Sequence, residues 1–143
     1  MDSSLLPQKK LNKLFLPIAS ESISAGFPSP AENYIETRID LNEELIKHPN
    51  CTFFLRVSGD SMTGVGIYDG DLLIVDRGIE ASPGKIVVAI LDGDFTLKRL
   101  IRHHNSFYLE AANPNHSPIE LSKYNNVQIW GVAIYSVHNL NHF

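Results

Sequence analysis

The 143 residues carry a formal net charge of −4, with 43% hydrophobic side chains, 20% charged side chains and one cysteine. That length and balance suit a single folded domain with a tail, and argue against intrinsic disorder. They also exclude several classes: the acidic chain lacks the positive field that draws proteins to phosphate backbones, Cys51 alone builds neither a disulfide framework nor a thiolate-rich zinc site, and no apolar run approaches the roughly 18 residues of a membrane span.

The N-terminal stretch M-D-S-S-L-L-P-Q-K-K has no basic segment leading into an apolar one, so neither export nor anchoring is expected and the compartment is read as cytoplasmic. Residues 1–32 read as an extended arm. Prolines at 7, 17, 28 and 30 each remove a backbone donor and restrict the residue before them, which breaks up any long helix. Residues 9–16 have the pattern of a short basic amphipathic turn, too little for a helix-turn-helix reader. Asp40 followed by Leu41-Asn42-Glu43 predicts a capped helix start, with Pro49 stopping the run after His48.

Residues 33–143 read as a β-rich domain. From Cys51 onward the runs T-F-F-L-R-V, D-L-L-I-V-D, K-I-V-V-A-I-L, D-F-T-L-K-R-L, S-F-Y-L-E-A-A and V-Q-I-W-G-V-A-I-Y-S-V are short and rich in β-branched and aromatic residues. Asp92-Gly93 between the third and fourth is a strong two-residue hairpin signal. The fold class is therefore mostly β: a small twisted β-body with one short helix and an extended N-terminal arm.

Within this frame, V-S-G-D-S-M places Ser61 on a tight turn. A nucleophilic serine needs exposure, a base, and N–H groups aimed at the developing oxyanion. Gly59 suits the turn, and the amides of Asp60 and Ser61 are positioned to converge as a small nest. Taken alone, Ser58-Gly59-Asp60-Ser61 describes an ordinary turn. Lys98, in D-F-T-L-K-R-L, shares a strand face with Thr96 and Leu100, while Phe95, Leu97 and Arg99 face the other way. It is either a solvated lysine guarding a strand edge or a desolvated amine able to take the Ser61 proton. The second option requires a pKa near about 7.4 instead of about 10.4, a difference of roughly 4 kcal/mol that burial can supply.

Other constellations are weaker. The histidines at 48, 103, 104, 116, 138 and 142 show no metal-ligand spacing, so no metal site and no cofactor is expected. There is no G-x-S-x-G elbow, P-loop or dinucleotide fingerprint. Cys51, ahead of a β-run, reads as a half-buried structural thiol.

The V-S-G-D-S-M turn, the following G-I-Y-D-G-D-L-L-I-V-D, the F-T-L-K-R-L strand and the upstream S-A-G-F-P-S-P together resemble the LexA/UmuD family of self-cleaving serine-lysine proteases, from about Ala25 to Val137. The resemblance implies Ser61 as nucleophile, Lys98 as general base and Ala25-Gly26 as the bond cut. LexA-type members carry a helix-turn-helix domain before that bond. The 25 residues preceding Gly26, broken by Pro7 and Pro17, are too few for one, so the architecture looks like the UmuD-type branch, and R-I-D-L-N and H-P strengthen that likeness. Ala25 stands where members of that branch carry cysteine and LexA carries alanine.

For that branch the resemblance implies a homodimer, cut in the SOS response to DNA damage when a RecA filament on single-stranded DNA binds it. The shortened subunit then joins a UmuC-type Y-family polymerase for error-prone translesion synthesis. It implies no direct sequence-specific DNA binding and no membrane association. Two other readings compete: a non-enzymatic β-rich interaction module in which the Ser61 turn is incidental, and a signal-peptidase-like enzyme, which the lack of a membrane segment disfavours.

Overall fold

The computed structural model describes residues 13–20, 22–27 and 36–141. Contacts divide the chain into two compact units, Met1–Lys47 and His48–Phe143.

In the first unit, strand β1 (Phe15–Ala19) pairs antiparallel with β2 (Glu36–Asp40), in a register running from Phe15 opposite Asp40 to Ala19 opposite Glu36. Pro17 sits opposite Arg38 and contributes no N–H, which a two-stranded ribbon tolerates better than a central strand would. The Arg38 guanidinium donates to the Phe15 carbonyl at 3.2 Å. The basic turn expected over 9–16 is therefore corrected. Residues 9–12 lie outside the described residues, and Phe15 and Leu16 are in a strand, because Pro17 disfavours the helical region at Leu16. Leu5, Leu6, Pro7, Pro28, Pro30 and His142, singled out in the sequence, also lie outside the described residues.

Helix α1 (Leu41–Leu45) starts where expected, with Asp40 Oδ1 accepting from the Asn42 N–H at 3.0 Å. The Glu43 carboxylate pairs with the Lys13 ammonium and raises its pKa through the hydrogen bond and charge. The helix ends sooner than the sequence suggested. Ile46 is already extended, and Pro49, which disfavours helix at the residue before it, opens a separate 3-10 turn over Pro49–Cys51.

The second unit is one antiparallel seven-stranded sheet. Its strands are β3 (Thr52–Arg56), β4 (Leu72–Asp76), β5 (Ile86–Leu91), β6 (Asp94–His103), β7 (Ser106–Glu110), β8 (Ile119–Glu120) and β9 (Val127–Val137). They lie in the order β3-β4-β9-β5-β6-β7-β8. All six predicted runs form strands. β6 extends to His103 because its last residues pair with β7, and the two-residue β8 was not anticipated. Asp92 (φ 47°) and Gly93 (φ 92°) form the β5–β6 turn, both left-handed as a type I′ hairpin requires.

Register shifts at Ile74/Val75 and Val88/Ala89 interrupt the pairing of β9 with β4 and β5, adding twist at the centre of the sheet. Two apolar clusters flank this region. One gathers Val87, Ala89, Leu91, Leu100, Leu109 and Val132; the other gathers Met62, Ile67, Leu73, Val75 and Val88. Fully burying such a side chain contributes about 1.5–3 kcal/mol. Met62, in the second cluster, ties the Ser61 turn to the core. No helix among the described residues is long and apolar enough to cross a membrane.

Candidate active site

Ser61 lies in the loop between β3 and β4, and every turn of that loop is held by a named bond. Gly59 takes φ 93°, a value open to glycine at no steric cost, and donates its N–H to Asp69 Oδ1 at 2.8 Å. Val57 N–H donates to the Asp71 carbonyl at 2.9 Å, and Gly70 N–H returns to the Val57 carbonyl at 2.8 Å. Asp71 is buried. Burial alone would raise its pKa, but hydrogen bonds from the Tyr68 N–H, His138 and Ser136 outweigh that and hold its carboxyl below the usual range.

On the other side of the turn, Gly64 N–H donates to the Ala112 carbonyl at 2.6 Å. A Cβ at Gly64 would sit 2.4 Å from that oxygen, so the two backbones meet where only glycine fits. Asp60 is gripped twice. Asn113 Nδ2 donates to its carbonyl at 2.8 Å, and His116 Nε2 lies 3.0 Å from its Oδ1, a hydrogen bond that holds the Asp60 carboxyl below its usual range.

Lys98 comes from the middle of β6 and is 9% exposed. Its Nζ donates to Ser61 Oγ at 3.0 Å, to Thr96 Oγ1 at 2.9 Å and to the Leu97 carbonyl at 3.2 Å. Among the described residues no carboxylate lies within ion-pair distance of it. Burial is what lowers the Lys98 pKa, and no opposing charge restores it. A neutral amine at this position has two N–H groups for Thr96 and Leu97 and one lone pair left for the Ser61 hydroxyl. The three contacts thus serve both protonation states, and only the Ser61 bond reverses direction.

The pair opens onto a cleft of about 400 Å³, walled by Leu55, Val57, Met62, Leu73, Phe95 and Leu97. Such a lining suits an extended peptide with small apolar side chains. The Ser61 N–H has no acceptor among the described residues and is available to a bound oxygen, whereas the Asp60 N–H turns toward its own carboxylate. Ala25 and Gly26 lie in the first unit, both exposed, with Gly26 N–H donating to Ser24 Oγ at 3.2 Å. Gly26 does not adopt a left-handed φ, so its smallness rather than a special backbone angle distinguishes it here.

The structure brings together Ser61, Lys98 and Thr96, which the sequence pointed to, and adds Asn113, His116 and Gly64, which it did not. Their contacts span about fifty positions, and no local pattern marks them. Three histidines, 48, 116 and 138, each pair with an aspartate, at positions 76, 60 and 71 respectively. Among the described residues no group of three or more His, Cys, Asp or Glu is placed to hold a metal ion. Cys51 is a free, partly buried thiol.

Comparison with known proteins shows the family. A family model described as Peptidase S24-like matches residues 17–134, a span that contains both Ser61 and Lys98. Protein MucA of Salmonella typhimurium is 43% identical over 130 residues, covering 85% of this chain and 84% of that protein. Protein ImpA of Shigella flexneri is 43% identical over 124 residues, covering 85% and 83%. The LexA repressor of Shewanella oneidensis is 37% identical over 125 residues, which is 87% of this chain and 60% of the repressor. With the family model spanning the whole serine–lysine site and these relatives matching most of its length, the chain belongs to the Peptidase S24-like family.

Proposed function

We propose that this protein is a self-cleaving serine endopeptidase in which Ser61 is the nucleophile, Lys98 the general base and Ala25-Gly26 the bond cut. The observation that carries this reading is the 3.0 Å contact between Lys98 Nζ and Ser61 Oγ, in a buried setting that lowers the lysine pKa. With Ala25-Gly26 seated in the cleft, neutral Lys98 accepts the hydroxyl proton as Oγ attacks the Ala25 carbonyl. The Ser61 amide receives the oxyanion. The Lys98 ammonium returns its proton to the Gly26 nitrogen, which leaves as a free amine. Water, deprotonated by the regenerated amine, then hydrolyses the Ser61 ester.

The same base explains control. A lysine protonated for most of the time is idle until its amine is dehydrated, and a segment filling the cleft does that. In this reading the protein acts as a cytoplasmic homodimer in the SOS response, and a RecA filament favours the seated arm without supplying a catalytic group. The shortened subunit then joins a UmuC-type polymerase in error-prone synthesis. The similarity to MucA, ImpA and the LexA repressor supports placing it in that setting.

The test is complementation of damage-induced mutagenesis in cells lacking the native gene. A protein made directly from Gly26 onward should restore mutagenesis even with Ser61→Ala, and full-length Ser61→Ala should not. An inactive shortened Ser61→Ala form would mean that the serine has a task beyond removing its own arm.

A further inference from the structure

The Ser61 turn is held from outside by one short segment, Ala112 to His116. It takes the Gly64 N–H on the Ala112 carbonyl, the Asp60 carbonyl on Asn113 Nδ2 and the Asp60 carboxylate on His116. Of these, the Asn113 bond reaches the peptide unit that joins Asp60 to Ser61. A trans peptide is planar, with its C=O and N–H pointing in opposite directions. Fixing the Asp60 carbonyl therefore fixes the direction of the Ser61 N–H.

We propose that Asn113 is a positioning residue that aims the Ser61 amide at the oxyanion by holding the Asp60 carbonyl on the far side of the same peptide plane. The proposal rests on the reading of Ser61 as nucleophile. Thr63 N–H also reaches the Asp60 carbonyl, at 3.3 Å, but the Asn113 bond at 2.8 Å is the shorter and comes from a separate segment. The Ser61 N–H itself has no acceptor among the described residues, so nothing on its own side holds it. A flip of this peptide unit turns about the Asp60 Cα–C and Ser61 N–Cα bonds, which the Gly59 N–H bond to Asp69 does not restrain. A peptide flip is the motion by which this turn would lose its donor, and Asn113 opposes that flip. His116 holds only the Asp60 carboxylate, which three rotatable bonds (Cβ–Cγ, Cα–Cβ and Cα–C) separate from the peptide plane.

Asn113 has a second bond that makes a clean test possible. Its Oδ1 accepts from the Asn115 N–H at 3.0 Å and shapes the 113–116 turn. Asn113→Asp keeps that acceptor and replaces the donor to Asp60 with a charged acceptor, while Asn113→Ala removes the donor without adding charge. Purified full-length wild type, Asn113→Asp, Asn113→Ala, His116→Ala and Ser61→Ala are followed for self-cleavage up to the alkaline plateau, where changes in the base's ionisation no longer affect the rate, together with thermal unfolding. The expected result is a plateau rate about ten- to a hundredfold lower for both Asn113 variants, less than the roughly 10²–10³-fold for removing an oxyanion donor outright, because the amide is misaimed and not lost. His116→Ala should lose less rate than either, and the melting temperatures show that the chains compared are folded at the temperature of the assay. A near-native plateau for Asn113→Asp would overturn the proposal and leave Asn113 as a turn-former, as would a loss in His116→Ala equal to that in Asn113→Asp. Cleavage by Ser61→Ala at the wild-type rate would instead strike the nucleophile assignment itself, so the two failures are distinct.

Discussion

Lys98 Nζ and Ser61 Oγ lie 3.0 Å apart although they come from different strands' surroundings, one from mid-β6 and the other from a loop pinned to the core by Met62. Among the described residues no carboxylate forms an ion pair with Lys98. A lysine buried without a carboxylate is destabilising when protonated, which sets up both the chemistry and its cost to the fold.

Removing either member should abolish self-cleavage. Ser61→Ala, Lys98→Ala and Lys98→Arg are each expected to lower the rate by roughly 10³-fold or more, and the double variant should be no worse than the singles, because the groups act as a unit. Arginine fails because its guanidinium is not deprotonated in proteins. Gel densitometry of the uncut chain over time measures this.

Lys98→Met should stabilise the fold while ending catalysis. It fills the same space without an amine to desolvate, and a gain of about 0.5–2 kcal/mol in denaturant unfolding at neutral pH is expected. A loss of stability would mean that the three hydrogen bonds of Nζ outweigh its burial.

The pH dependence follows from the lowered Lys98 pKa. Cleavage should rise from pH 7 as the amine loses its proton and level off below the usual lysine value of 10.5. Because the unfolded chain holds that proton more tightly, the Lys98 contribution to folding stability also rises with pH between the lowered pKa and 10.5, and is absent below the lowered pKa. Thr96→Val removes one acceptor of the ammonium, so the midpoint should move further down. Its plateau should fall about tenfold as the amine loses its alignment.

Gly64→Ala should destabilise the fold and Gly26→Ala should not. A Cβ at Gly64 meets the Ala112 carbonyl at 2.4 Å, whereas one at Gly26 meets nothing within 4 Å. Overpacking of this kind costs about 1–3 kcal/mol. Unfolding midpoints of the two variants separate the cases.

Much of this was legible in the sequence because it is local. Period-2 runs marked all six main strands, Asp92-Gly93 marked the hairpin, and Lys98 two residues from Thr96 marked a shared face that the structure shows as a hydrogen bond. What stayed hidden depends on distant partners. β1 is an unremarkable Phe15–Ala19 with a proline at its centre, and its pairing with β2 rests on residues about twenty positions away. Asn113 and His116 look like ordinary loop residues until the fold brings them onto Asp60.

Mass spectrometry of the purified protein after incubation at alkaline pH tests the central claim most directly. Self-cleavage by Ser61 and Lys98 should yield two products, residues 1–25 and 26–143, with a new N-terminus at Gly26 and none formed by Ser61→Ala. An uncut wild-type chain, a new terminus elsewhere, or the same products from Ser61→Ala would contradict it.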